Sequence, residues 1–81
     1  MVRKTLARNQ PEVGKFLREL RILAGLTQEQ FASFLGVTYS TINRWENGHT
    51  RPMPLAMQKI EEIAKDMGEQ GENLIVKYYL K

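Results

Sequence analysis

The sequence predicts an all-α fold in which four short helices share one small, compact core, with a fifth element at the C-terminal end. Apolar residues recur at spacings of three and four in four separate stretches, and hydroxyl side chains, glycines and prolines stand where those stretches begin and end. Size adds a third observation. Eighty-one residues make one domain whose core leaves little stability to spare, so close helical packing or pairing with a second copy is expected.

Residues 1–10 carry three basic groups and few apolar anchors, and read as a basic N-terminal arm. Pro11 suits the first turn of a helix, and Val13, Phe16, Leu17, Leu20 and Ala24 then recur on one face. Gly25 ends this helix just before Thr27 starts the next, so the two must pack closely. Thr27 stands three residues before Gln30, the capping-box spacing, and Leu26 and Phe31 are placed to close a hydrophobic staple. Phe31, Ala32 and Leu35 form the apolar face of this second helix. Gly36 follows, and glycine tolerates the positive φ that a sharp stop demands.

Thr38 then caps a third helix, Val37 and Ile42 make a second staple pair, and Ile42, Trp45 and Glu46 turn toward the second helix. The phase of Trp45 matches Ile42, which favours a place in the core over stacking on a ligand. GHTRPM is a loop, in which Pro52 disfavours helix at Arg51 and after which Pro54 opens a fourth helix. Its stripe is Ala56, Ile60, Ile63, Ala64 and Met67, and Gly68 is its stop. Beyond EQGEN, the segment LIVKYYLK is apolar, β-branched and aromatic, a composition that favours a strand over a helix. A lone strand would pair with the same strand of a second molecule to make a two-fold dimer. The alternative is that Leu74, Ile75 and Tyr78 fold back as helix or coil over the core. The chain thus divides into the arm at 1–10, a main domain at 11–68 with its central motif at 27–48, and a C-terminal segment at 69–81, of which residues 72–81 are the candidate dimerisation element.

Composition excludes several functions. With no cysteine there is no disulfide framework, zinc ribbon or thiol chemistry, and His49, the only histidine, has no partner with which to bind a metal. No phosphate-cradling glycine loop and no carboxylate pair suited to acid and base roles is present. An enzyme, a cofactor and a metal are therefore not expected. The basic N-terminus lacks the apolar run of a secretory signal and no stretch is apolar enough to cross a membrane, which points to the cytoplasm. A net charge of +3 is modest, but residues 1–26 hold six basic groups against two acidic ones, whereas residues 54–72 hold two against five. The acidic end should face away from any polyanion.

At 100° per residue, Ser40, Asn43, Arg44 and Asn47 fall within one sector of the third helix, and Tyr39 projects from its first turn. Arginine can grip guanine O6 and N7 with two bonds, asparagine can do the same to adenine, and serine and tyrosine reach base edges or phosphates. The bland reading of such a face is a solvated one.

From about Phe16 to Ala64 the chain resembles the helix-turn-helix of the phage-repressor group, the Cro and Xre-like regulators. The resemblance lies in the LTQEQFA opening, Ala32 where helices approach, Gly36 at the turn, Ile42 and Trp45 on the buried side, and the WENG ending. It implies a lambda-repressor-like fold whose third helix enters the major groove of double-stranded DNA while the second lies across the backbone. Carried over by position, Tyr39, Ser40, Asn43 and Arg44 read bases, and Thr27, Gln28, Thr38, Asn47, His49, Thr50 and Arg51 contact phosphate. Arg21 pairs with Glu46. The basic arm either follows the phosphate backbone or is a solvated terminus. The implied function is a sequence-specific transcriptional regulator, a repressor that occupies its operator and is nucleoid-associated when bound. A different class is an antitoxin or adaptor whose C-terminal LIVKYYL binds a protein partner.

Overall fold

The computed structural model describes residues 10–79, and five helices carry most of them. α1 is Gln10–Leu23, α2 Gln28–Leu35, α3 Tyr39–Glu46, α4 Pro54–Asp66 and α5 Glu69–Tyr79. The basic arm, apart from Gln10, lies outside the described residues. No described helix is long and apolar enough to cross a membrane.

Boundaries around the central helices have local causes. Thr27 Oγ1 accepts the Gln30 amide at 3.0 Å while Gln30 Oε1 accepts the Thr27 amide at 2.9 Å, a reciprocal capping box. Gly36 has φ 75°, and the Val37 amide reaches back to the Ala32 carbonyl at 2.9 Å, so α2 stops within one residue. Thr38 Oγ1 then accepts the Thr41 amide at 3.2 Å and α3 begins. Pro54 occupies the first turn of α4, where a missing N–H is harmless.

α1 packs chiefly on α3 and α5 and gives its apolar face to the shared core. Phe16, Leu17 and Leu20 are buried against Phe31 of α2, Ile42 of α3 and Ile60 of α4. Trp45, at 6% exposure, is a core residue. Each such side chain contributes roughly 1.5–3 kcal/mol on leaving water, and the helices, all short, depend on that shared burial.

The C-terminal segment is a helix over its described residues, 69–79, and not a strand, and no strand occurs among the described residues. α5 begins at Glu69, so EQGEN forms its first turns instead of a connection. A Cβ on Gly71 would stand 1.8 Å from the Ala64 carbonyl oxygen, so only glycine lets α5 fold back this tightly on α4. Once folded back, Leu74, Ile75, Tyr78 and Tyr79 share a face that packs on the core. Tyr78 and Tyr79 each meet Phe16 edge-on with ring centroids 5.8 Å apart. Burial against a waiting core outweighs strand propensity, which itself reflects packing more than backbone preference.

Both tyrosines also donate hydrogen bonds, Tyr78 to the Glu19 carboxylate of α1 and Tyr79 to Glu61 of α4. The Tyr78 bond holds the Glu19 carboxyl below its ordinary value, and burial, helped by that same carboxylate, pushes the Tyr78 phenol up.

Candidate nucleic-acid interface

α3 has two unlike sides. Ile42 and Trp45 are buried and the Glu46 side chain is 3% exposed, whereas Tyr39, Ser40 and Arg44 are exposed and Asn43 is half-buried. The inward side explains why the outward side keeps its direction.

Arg21 of α1 grips Glu46 through two bonds, Nε to Oε2 at 2.7 Å and Nη2 to Oε1 at 3.2 Å, and its Nη1 donates to the Leu26 carbonyl at 2.9 Å. Gln28 Nε2 donates to Glu46 Oε1 at 3.1 Å. One carboxylate therefore ties α1, the start of α2 and the last turn of α3 together, in a geometry that a bidentate guanidinium fixes in direction as well as distance.

A second support is steric. A Cβ on Gly14 would lie 2.7 Å from the Glu46 carbonyl oxygen and 2.8 Å from that of Trp45, so α1 touches the end of α3 backbone to backbone. Sequence reasoning passed over Gly14. The signal was present: glycine inside a helix is about 1 kcal/mol worse than alanine and so asks for a packing reason.

Several residues assigned to phosphate have structural duties. Thr27 and Thr38 are the N-caps of α2 and α3. The Thr38 hydroxyl also meets those of Thr41 at 2.9 Å and Ser40 at 3.3 Å. The Gln28 amide is turned to Glu46, which uses one of its two N–H hydrogens and leaves the other. After α3, His49 and Arg51 are exposed and Thr50 is half-buried, and the His49 amide closes the helix end on the Arg44 carbonyl at 2.9 Å.

On the outward side, Asn47 donates to Asn43 Oδ1, and Asn43 Nδ2 lies 3.4 Å from the Tyr39 hydroxyl. These three side chains form a ladder at four-residue spacing. Arg44 takes part in none of these bonds. Tyr39, Ser40, Asn43 and Arg44 are thus presented on one short helix, with Asn47 at its C-cap. Among the described residues no group of three or more His, Cys, Asp or Glu side chains is placed to hold a metal ion.

Two short helices joined by a glycine turn, the first capped by a box and the second directed outward by a buried carboxylate, define a helix-turn-helix protein. The model of the helix-turn-helix family matches residues 17–65, more than half of the chain. The chain belongs to that family, the Xre/Cro-like helix-turn-helix proteins. It is similar to a propionyl-CoA carboxylase regulator of Cereibacter sphaeroides, with 38% identity over 55 residues. That alignment spans 68% of this chain and 11% of the relative's length. No solved structure matches the chain significantly.

Proposed function

We propose that the chain is a sequence-specific repressor that reads the major groove with α3 and acts by occupying its operator. The observation that carries this reading is the division of α3, with Ile42, Trp45 and Glu46 committed inward and hydrogen-bonding side chains held outward. Tyr39, Ser40, Asn43 and Arg44 read base edges, Arg44 by two bonds to guanine. Thr27 and Gln28 at the start of α2, with Thr38, Asn47, His49, Thr50 and Arg51 around α3, hold the flanking phosphates. Residues 11–68 bind DNA, and the C-terminal segment completes the core through residues 69–79. Such a regulator works in the cytoplasm, on the nucleoid.

A homodimer on a near-palindromic operator would set half-sites about one helical turn, roughly 34 Å, apart. Pairing through residues 72–81, or a protein partner seated there, would meet the outward side of α5, where Val76 is 53% exposed between Glu72 and Lys77, because Tyr78 is spent on the core.

The test is selection of bound sequences from a randomised duplex library at near-physiological salt, with the intact chain and Arg44→Ala in parallel. One symmetric motif is expected, with preference relaxed at a single position in the variant and a loss of about 1–3 kcal/mol on the selected site. Arg51→Ala should weaken all sequences alike. A single enriched half-site removes the dimer and keeps the reading. A folded chain that enriches nothing overturns it and moves attention to a protein partner.

A further inference from the structure

We infer that Asn47 and Tyr39 are positioning residues for Asn43, holding its amide ready to read an adenine, so that Asn47 sharpens sequence preference instead of only gripping phosphate. This rests on the DNA-reading role of α3 proposed above.

The three residues stand at four-residue intervals, where side chains of a helix are neighbours along one face. Asn47 Nδ2 donates to Asn43 Oδ1, and Asn43 Nδ2 faces the Tyr39 hydroxyl oxygen at 3.4 Å. An asparagine amide offers two hydrogens on nitrogen and two lone pairs on oxygen. The ladder engages one of each and leaves one of each. A single donor beside a single acceptor is what the major-groove edge of adenine requires, N7 accepting and N6 donating.

Position within the ladder matters too. Asn43, half-buried, sits between two exposed partners, so both ends of its amide are held. An untethered asparagine would have to be ordered when DNA arrives, and ordering one flexible side chain weakens binding about two- to tenfold. A tethered one is ordered beforehand. Because that gain is collected only where the amide meets its matching base, it appears as discrimination at one position. Arg44 lies outside the ladder and supplies an internal control.

The experiment measures discrimination between the selected motif and its single-base variants, using the full chain, Asn47→Ala, Tyr39→Phe, Asn43→Ala and the Asn43→Ala/Asn47→Ala double variant. Asn43→Ala should abolish preference at one A·T position. Asn47→Ala should lower it about two- to tenfold at that same position, leave the Arg44 position untouched, and add nothing in the double variant. Tyr39→Phe, which keeps the ring, should relax the Asn43 position beside the one its own hydroxyl reads, and so gives the same readout should Asn47→Ala fail to fold. Uniform weakening by Asn47→Ala on every sequence would overturn the inference and return Asn47 to the phosphate contacts, with the regulator reading intact. So would a motif that Asn43→Ala leaves unchanged while Arg44→Ala alters it. A wild-type chain that enriches no motif defeats both.

Discussion

Arg21 and Glu19, two residues apart on α1, each make an ion pair with a neighbouring helix, and the two pairs are of opposite kinds. Arg21 meets Glu46 of α3 with side chains 14% and 3% exposed, whereas Glu19 meets Lys77 of α5 with side chains 39% and 59% exposed. Toward α3, charge acts almost without water and adds a fixed direction through paired guanidinium bonds. Toward α5, water screens the pair, and attachment comes from shape: the Tyr78 ring lies against Phe16, while Gly71 seats α5 on Ala64 of α4. Charge is used where a helix must be aimed, and packing where a helix need only cover.

The contrast breaks first at Glu46. Glu46→Ala strands Arg21 and Gln28 without their shared acceptor, and a loss of about 3–5 kcal/mol is expected in urea unfolding. A loss below about 1 kcal/mol would make this pair no different from its exposed counterpart. Gly71→Ala attacks the other side. With backbone and not a flexible side chain in the way, it should lose about 1–3 kcal/mol, and the melting temperature should drop by several degrees per kcal/mol. An unchanged melt would show that α5 is not seated through that contact.

Tyr78→Phe keeps the ring on Phe16 and removes the hydroxyl bond to Glu19. About 0.5–1.5 kcal/mol should go, a modest figure because the carboxylate keeps contact with water. The same bond sets a pH dependence. Glu19 is lowered from 4.5 in the folded chain, so its contribution is present above that value and fades as pH falls below it. Tyr78 is raised from 10.0, so stability also falls as pH climbs past 10.0, where the unfolded chain ionises first. Melting curves across pH should show a gentler acid fall in Glu19→Gln than in the parent. Lys77→Ala comes last, with a change below about 1 kcal/mol.

Interactions that span a few residues were legible before any coordinates. Thr27 with Gln30, Gly36 at its turn and Thr38 with Thr41 all act within four positions, and α1 to α4 follow from them and from the apolar spacing. The pairing of Arg21 with Glu46, 25 residues apart, was reachable only through the family resemblance. α5 was readable in composition but not in conformation. Whether LIVKYYL pairs as a strand or coils as a helix turns on whether Gly71 can lie on Ala64 and whether Glu19, 59 residues from Tyr78, waits for its hydroxyl. No window of eight residues contains that information. The outward side chains of α3 were legible as a set, while the ladder among Tyr39, Asn43 and Asn47 depends on rotamers that spacing permits without requiring.

As the proposed reader of bases, α3 is short enough to limit how much address one chain can hold. Eight helical residues rise about 12 Å, the span of roughly four base pairs at 3.4 Å each. A fully specified four-letter word recurs by chance about once in 256 positions, and a genome presents on the order of a million or more. One copy of this helix therefore names thousands of places with equal conviction. Picking out a single promoter takes a second word at a set distance, or flanking contacts that lengthen the first.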